Sequence, residues 1–373
     1  GDVYKRQTQA LTLLGEKPCL IGTNGNGFWG NLESTTFTTP EAVLLQSILH
    51  RYIKQGASSL VMEVSSHGLS QHRVAGIPFL IGVFTNLTRD HLDYHGDMEA
   101  YYQAKKQLFL SPSMGYAIIH IDDPYGKRLS NELKKERPEL EILGYGVNKQ
   151  AHIHLHTVNE SQEGIELNLT SPWGDIQLFH PHLIGFFNAQ NLAASFAVLC
   201  VLGFEASLSA KILSGIKPAK GRMQVLKEKG KPLVIIDYAH TPDALQKALT
   251  VLKPAAQAGK LYCVFGCGGN RDQGKRSLMG QVVEETADYA VVTSDNPRDE
   301  DPIEIIADII KNIHPKIVET DRKKAIQWAI EQANEGDVVL IAGKGHENYQ
   351  EIKGTRYPFD EDEIALHYLK DKQ

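Results

Sequence analysis

Cysteine and tryptophan are scarce in this sequence, at four and three of 373 residues. Cys19, Cys200, Cys263 and Cys267 are scattered, and the Cys263–Cys267 pair has no second pair to complete a zinc-binding set. The four read as buried thiols in a reducing compartment, not as a disulfide framework. Positive charge is not in excess either. A net charge of −6 and an isoelectric point near 6.2 argue against a nucleic-acid binder. No apolar run reaches the length of a bilayer span, and the N-terminus lacks the basic-then-apolar pattern of a secretory signal. The expected location is the cytoplasm, with no membrane insertion. Internal repeats and low-complexity tracts are missing.

A phosphate-binding loop is missing as well. Gly22-Thr23-Asn24-Gly25-Asn26-Gly27 imitates the start of one. Such a loop needs a lysine followed by Ser or Thr at the head of a helix, and here Phe28-Trp29-Gly30 follows instead. The stretch is read as a turn. Residues 1–7 (GDVYKRQ) show no usable period, whereas Thr8–Leu14 reads as the tail of a helix already under way. The expectation is that the first seven residues are foreign to the chain and remain unassigned.

What is present is an ordinary globular composition, 42% hydrophobic and 23% charged, in a chain long enough for two domains. Apolar strands alternate with amphipathic helices. Strands are predicted at 59–64, 79–85, 115–121, 233–237, 261–265, 289–293 and 337–342. Helices are predicted at 41–55, from Asp97 to about Phe109, and at 188–203, 243–253, 276–286, 303–312 and 322–334. Alternation over 152–169 predicts antiparallel strands. The repeated strand–helix order implies an α/β fold with mostly parallel sheets covered by helices. Lys217-Pro218-Ala219-Lys220-Gly221 reads as a linker. In such folds ligands bind beyond the carboxyl ends of the strands, which directs attention to Glu63, Thr85-Asn86, 237–240, 266–272 and 343–347.

Several side chains there could carry chemistry. In the helix after Asp97, residues 98, 101, 102, 108 and 109 mark the apolar stripe, and Lys105 falls inside it while Lys106 points to solvent. An inward lysine is either a snorkelling cation or one pushed toward neutrality. Glu63, at a strand end, could ligate a hard cation or simply cap a loop. Asp90-His91 and Asp93-Tyr94-His95 follow the next strand and allow a metal or phosphate role, or a structural one. Gly266-Cys-Gly-Gly-Asn-Arg-Asp272 could form an anion nest or an idle turn. Asp295-Asn296-Pro297-Arg298 could grip a zwitterion, carboxylate to ammonium and guanidinium to carboxylate, or be a polar turn. Gly343-Lys-Gly-His-Glu347 is a third such loop.

In this order the blocks resemble the Mur ligases, and within them the UDP-N-acetylmuramoyl-tripeptide synthetases of peptidoglycan synthesis. The matching pieces are Thr38-Thr39-Pro40, MEVSSHGLSQHR at 62–73, FTNLTRDHLDYHGDMEAYYQAK at 84–105, GFFNAQN at 185–191, GRM at 221–223, DYAHTPD at 237–243, FGCGGNRDQGKR at 265–276, DNPR at 295–298 and AGKGHENYQ at 342–350. The resemblance spans residues 8–373. It implies a central ATP-binding domain over 8–217, truncated at its start, and a C-terminal Rossmann-like amino-acid-binding domain over 218–373, without the uridine-nucleotide domain that precedes them in the family. The implied reaction uses ATP and Mg2+. A carboxyl group of UDP-N-acetylmuramoyl-L-alanyl-D-glutamate becomes an acyl phosphate, which the amine of meso-diaminopimelate attacks.

The resemblance also implies residue roles. Thr38, Thr39, Ser65, Gln71 and Arg73 would contact the muramoyl-dipeptide substrate. Glu63, His91 and a carbamylated Lys105 would form the catalytic, metal-binding group. Asn86, Asn188, Asn191, Arg222 and Asp237 would face the nucleotide. Arg271, Asp295, Asn296, Pro297, Arg298, Gly343 and Glu347 would form the diaminopimelate pocket, with Arg298 pairing with the distal carboxylate that lysine lacks. Two positions depart from the family's pattern: His120 and Phe37 stand where relatives have Asn. The expected assembly is a monomer. Because no loop cradles the β- and γ-phosphates, the chain by itself is expected to be inactive. The alternatives are a folylpolyglutamate-synthase-like ligase and a non-catalytic protein that binds an amino acid or nucleotide.

Overall fold

The computed structural model describes residues 2–23, 25–161, 163–218, 220–256 and 258–372, without the side chains of Asp2 and Asp93. Gly1, Asn24 of the glycine-rich turn, Ala219 of the linker and the Asp93 carboxylate lie outside the described residues. The chain forms two compact units. One takes in residues up to Asn159 with Glu166–His180 and Phe187–Lys217. The other takes in Glu160–Ile165, Pro181–Phe186 and the chain from Pro218 on.

The first unit opens with helix α1 (Asp2–Leu13), which packs on strand β1 (Pro18–Gly22). Here the structure corrects the sequence reading. Residues 2–7 show no amphipathic period, yet they are helical, and Lys5, Arg6 and Gln7 are buried. A helix buried on its polar positions has no apolar stripe to find. Strands β2 (Gly25–Phe28) and β3 (Asn31–Glu33) continue antiparallel from β1. Helix α2 (Ala42–Lys54) then leads to β4 (Ser59–Met62), which pairs parallel with β1. The glycine-rich stretch, read as a turn, spans the end of β1 at Gly22 and the start of β2 at Gly25–Gly27, with Thr23 in a turn between them. Gly25 and Gly27 have φ of 128° and 148°, and a Cβ on either would meet a backbone carbonyl of β3 at 2.6 or 2.5 Å. Leu45, Ile48 and Tyr52 of α2 pack against Cys19 and Ile21.

After the short helix α3 (Ser66–Ser70), a second sheet begins with β5 (Ile81–Phe84). Helix α4 (Leu92–His95), helix α5 (Met98–Lys106) and a 3-10 turn over Gln107–Leu110 follow. Next come β6 (Tyr116–His120), α6 (Pro124–Glu136) and β7 (Glu141–Gly146). Then come β8 (Ile153–Ser161), β9 (Gly164–Ser171) and β10 (Gly174–His180), and helices α7 (Phe186–Val201) and α8 (Ala206–Gly215) close the unit. The sheet order is β10-β9-β8-β7-β6-β5, and β5, β6 and β7 run parallel. Two-residue connections join β8 to β9 and β9 to β10, which only antiparallel neighbours allow. Tyr101, Tyr102 and Phe109 from α5 and its extension pack with Leu129 and Leu133 of α6 over Ala117 and Ile119.

Asp97 starts α5 as predicted, its carboxylate accepting from Ala100 N at 2.8 Å. Lys106 contradicts the expectation of a solvent-facing side chain. It is buried, and its ammonium donates to Glu132 (2.8 Å) and Glu136 (2.7 Å) of α6. Burial opposes its charge, but the two carboxylates win and raise its pKa. The acids lie on another helix, so no local pattern could announce them.

The second unit starts with β11 (Gln224–Leu226) and β12 (Leu233–Asp237). The series α9 (Pro242–Ala255), β13 (Leu261–Phe265), α10 (Gly274–Thr286), β14 (Tyr289–Thr293), α11 (Pro302–Ile310), β15 (Ile317–Glu319), α12 (Arg322–Gln332) and β16 (Val338–Ala342) follows. A hairpin of β17 (Tyr349–Ile352) and β18 (Thr355–Pro358) leads to helix α13 (Glu361–Asp371). The sheet order is β11-β12-β16-β13-β14-β15, parallel from β12 to β15 with β11 antiparallel at the edge. Strands β12, β13, β14 and β16 lie within one residue of their predicted spans, since a strand buried on both faces is a continuous apolar run. The α/β class with parallel-rich sheets holds. All four cysteines are buried and free, and burial raises each thiol's pKa, Cys19 to about 11. Among the described residues no helix is long and apolar enough to cross a membrane.

Because Asp97 fixes the first turn of the helix that carries Lys105, Asp97→Ala should cost about 1 kcal/mol of stability and Asp97→Ser far less. Urea unfolding followed by far-UV circular dichroism measures both.

Candidate functional site

The carboxyl ends of β1, β4 and β5 bring together most of the residues predicted for the first unit. Glu63 follows β4 and is half-buried. Its Oε2 accepts from the hydroxyl of Thr23 at 2.9 Å and from Thr23 N at 3.3 Å. Thr23 sits in the glycine-rich turn, and its hydroxyl also meets that of Thr38 at 2.9 Å. Thr39 is buried and clamps the strand end: its hydroxyl donates to Glu63 O (3.0 Å) and accepts from Ser65 N (2.9 Å). Ser65 caps α3 by accepting from Gly68 N at 3.0 Å. Arg73 donates to Thr39 O (2.8 Å) and Gln71 Oε1 (2.9 Å), pairs with Glu41 (3.1 Å), and lies over the exposed Phe37 ring at 5.3 Å. Gln71 reaches Tyr94 Oη at 3.1 Å.

Beside this hydrogen-bonded floor stands an aromatic wall. His67 is its hub, with ring centroids 5.0 Å from His91, 4.1 Å from Tyr94 and 5.5 Å from His95. His95 stacks on Tyr101 at 5.0 Å and meets Ser66 Oγ at 2.9 Å. His91 is held in the left-handed region, φ 53°, with its N–H donating to Asp90 at 2.8 Å. Lys105 is partly buried, its ammonium 5.1 Å from the Tyr101 ring centre. Burial pushes its pKa down, against the pull of Glu63 and Asp90. Glu63, Asp90 and Lys105 thus share one electrostatic neighbourhood.

Among the described residues no group of three or more His, Cys, Asp and Glu side chains is placed to hold a metal ion. Glu63 and His91 are two such side chains, and an unmodified lysine is no ligand for a hard cation. With Lys105 carrying a carboxylate, it and Glu63 would supply the oxygen donors that Mg2+ prefers. The lowered pKa of Lys105 favours the neutral amine that such a modification needs.

The predicted nucleotide residues are distributed over both units. Asn86 is exposed beyond β5. Asn188 and Asn191 share a face of α7; Asn188 is buried and its amide oxygen accepts from Arg6. In the second unit Arg222 lies over Tyr238 at 5.0 Å. Asp237 accepts from Met223 N (2.8 Å) and Ala239 N (2.9 Å), which makes it a clasp for the loop after β12. His120, at the end of β6, faces Thr85 O with Nδ1 (2.9 Å) and Gln190 with Nε2 (2.9 Å), and stacks on Tyr145. Its Nε2 also lies 3.3 Å from Asp122 Oδ2. His120 thereby ties α7 to the end of β5.

The loops after β13, β14 and β16 converge at the carboxyl ends of these neighbouring strands. Gly269 N donates to Asn296 O at 2.9 Å, and a Cβ on Gly269 would lie 1.9 Å from Pro297 O. Arg298 adopts φ 51° and is pinned by backbone bonds to Glu351 and Lys353. Its guanidinium donates to Gly269 O at 2.8 Å and approaches Glu351 at 3.7 Å. Part of its fork is therefore already engaged. Arg271 is exposed beside this cluster. Asp295 and Asn296 are buried, and Asn296 Nδ2 donates to Glu347 at 2.9 Å. Gly343 has φ 124°, and a Cβ there would lie 2.7 Å from Asp295 Oδ2. Beneath the loops, Arg322 donates to Glu361 (2.7 Å) and to Ala342 O (2.9 Å), both side chains being buried.

Sequence reasoning assigned no role to Thr23 or His67 in the first unit, nor to Lys344, Arg322 or Glu361 in the second. Lys344 lay inside a matched block, and nothing marked it as buried. Arg322 and Glu361 are far apart in sequence and carried no signal.

Comparison with known proteins gives a consistent picture. The model of the Mur ligase middle domain matches residues 8–199, and that of the Mur ligase glutamate ligase domain matches residues 221–345. UDP-N-acetylmuramoyl-L-alanyl-D-glutamate–2,6-diaminopimelate ligase of Neisseria meningitidis serogroup A is 52% identical over 96% of this chain and 73% of its own length. The Chromobacterium violaceum protein of the same name is 49% identical over 97% and 73%. A solved structure of a ligase of that name superposes with a TM-score of 0.78 at 39% identity, covering 99% of this chain and 76% of that one. Folylpolyglutamate synthase of Mycobacterium tuberculosis shares the fold, with a TM-score of 0.66 at 18% identity over 91% and 85%.

Arg322→Met should destabilise the second unit by about 3–5 kcal/mol, because Glu361 is left buried and unpaired, whereas replacing both partners with apolar residues should recover most of the loss. Guanidinium denaturation of the single and double variants measures the difference.

Proposed function

The chain belongs to the Mur ligase family, and from that premise we propose that it serves the ATP- and Mg2+-dependent joining of meso-diaminopimelate to UDP-N-acetylmuramoyl-L-alanyl-D-glutamate in peptidoglycan synthesis. The observation that carries this reading is the cluster of loops at the carboxyl ends of the second unit's central strands. Asp295, Asn296, Pro297 and Arg298 face Gly343 and Glu347, with Arg271 alongside. Carboxylates there suit an ammonium group, and Arg298 and Arg271 suit the extra carboxylate that distinguishes diaminopimelate from lysine. The identity to two diaminopimelate ligases supports the same choice over a folylpolyglutamate-synthase-like ligase, for which only the fold speaks.

Carboxylate and amine do not condense unaided in water. Transfer of the terminal phosphoryl group of ATP to the substrate carboxylate gives an acyl phosphate and ADP. The amine nitrogen then attacks the carbonyl carbon, the C–O bond to phosphate breaks, and the amine gives up a proton. In this reading Thr38, Thr39, Ser65, Gln71 and Arg73 orient the dipeptide carboxylate, with the Thr39 clamp holding the end of β4 rigid. Glu63, His91 and a carbamylated Lys105 hold Mg2+. Bound there, the cation offsets charge on the transferring phosphoryl group. Asn86, Asn188, Asn191, Arg222 and Asp237 are assigned to the nucleotide. Asp237 also holds its own loop, so its loss would act through Met223 and Ala239 as well.

Isothermal titration of the chain with meso-diaminopimelate, lysine and glutamate tests the assignment. Binding of diaminopimelate at least about tenfold tighter than lysine, a gap of about 1.4 kcal/mol, is expected; equal affinity, or preference for glutamate, refutes it. With ATP, Mg2+ and both substrates the chain itself should release no phosphate, because no Gly-x-x-x-x-Gly-Lys-Ser/Thr loop is present.

Carbamylation has its own readout. With 13C-bicarbonate, NMR should show a carbamate signal that Lys105→Ala removes. Carbon dioxide reacts with the neutral amine, and burial lowers the pKa of Lys105. The signal should therefore strengthen as pH rises and appear at lower pH than the carbamate of free lysine. A signal unchanged in Lys105→Ala would restore the snorkelling reading.

A further inference from the structure

Lys344 follows Gly343 at the end of β16, and its side chain is 0% exposed. Its ammonium has three protons to give. Two go to Asn296 Oδ1 at 2.8 Å and Tyr349 O at 2.7 Å, and the third side faces Asp295 Oδ1 at 3.4 Å. Glu347 Oε2 lies 3.8 Å away. The protein itself uses the whole ammonium, and none of it is directed at a ligand.

Its effect falls on Asn296. The Oδ1 of that amide accepts from Lys344 and from Glu351 N at 2.9 Å, and Nδ2 donates to Glu347 Oε2 at 2.9 Å. An unconstrained asparagine amide can turn over with little steric change. This one cannot. Turning it would set its NH2 against an ammonium and a backbone N–H, and its carbonyl against a carboxylate. Glu347 is in consequence held by a donor whose direction Lys344 and the Glu351 N–H set together. The charges lead to the same residue. Arg322 is matched by Glu361, so Asp295 and Glu347 face one buried cation and keep one unit of negative charge between them.

We propose that Lys344 is the positioning residue of the amine-substrate pocket: it locks the Asn296 amide, aims Glu347, and leaves a single negative charge for one ammonium group of the incoming amino acid. The inference rests on reading these loops as the diaminopimelate pocket. Gly343 and Gly345, both at positive φ, give the backbone the path that turns Lys344 inward between them. Burial lowers the lysine's pKa and Arg322 adds to that shift, while Asp295 and Glu347 oppose it, so the hydrogen bonds to Asn296 and Tyr349 are what hold the side chain in place.

The test is calorimetric binding of meso-diaminopimelate to the 373-residue chain and its variants, each checked for cooperative thermal unfolding. Lys344→Met should weaken binding about tenfold or more, equivalent to about 1.4 kcal/mol. In an Asn296→Ala background the same change should cost little further, because the lysine acts through that amide. A merely structural lysine would give additive losses. Lys344→Gln, which keeps a polar end but no charge, carries the same expectation should the methionine variant fold poorly. Tight binding by the unaltered chain with undiminished binding by the folded Lys344 variant, or with additive losses, overturns this inference alone. Failure of the unaltered chain to bind diaminopimelate overturns both it and the pocket assignment.

Discussion

A cation taken out of water must be met by carboxylates and carbonyls at once, and this constraint governs both units. Lys106 lies between Glu132 and Glu136, and so fastens α5 to α6. Arg276 is buried between Glu300 and Asp308, while Arg322 meets Glu361 and Ala342 O. Lys344 sits among Asn296, Tyr349 O and Asp295. Each pairing joins separate elements, and those of Arg276, Arg322 and Lys344 lie under or beside loops that carry candidate site residues. Such pairs contribute little net stability when intact, and their loss is costly because one charge is stranded. They define one arrangement of the loops above them.

Lys105 is the exception that gives the first unit its character. It lies on the same helix as Lys106, one residue earlier, and its ammonium lies by the Tyr101 ring where its neighbour's meets two acids. Its two carboxylate influences, Glu63 and Asp90, act at longer range and do not offset burial. Adjacent lysines thus reach opposite states: one fixed as a cation, the other driven toward the neutral, nucleophilic amine.

The sequence made the strands of the second unit legible almost to the residue, because apolar runs such as LVIID and LYCVF are buried on both faces. Helix α5 and its Asp97 cap were equally readable from spacing. The second half of helix α1 was read as a helix tail, but its first half was not, since Lys5, Arg6 and Gln7 are buried yet polar, and Lys106 was misplaced because its partners lie on α6. For the candidate site, block resemblance located the loops, and the structure gathers most of their residues at strand ends. What it could not supply was the support beneath them. Thr23 was dismissed with its turn, and Lys344, Arg322 and Glu361 act through contacts between segments far apart in the chain. Supporting ion pairs leave no local period, so no window of sequence contains them.

The strand order of the second unit bears on how the protein is made. Strand β16 lies between β12 and β13 yet is translated after β14 and β15. Until residues beyond Ala342 leave the ribosome, LVIID and LYCVF have no partner between them, and their facing edges stand open to mispairing. The sheet closes from its centre only once β16 has emerged. A nascent chain halted before Val338 would present two unpaired apolar edges to chaperones and proteases, and quality control would meet it as an aggregation-prone intermediate.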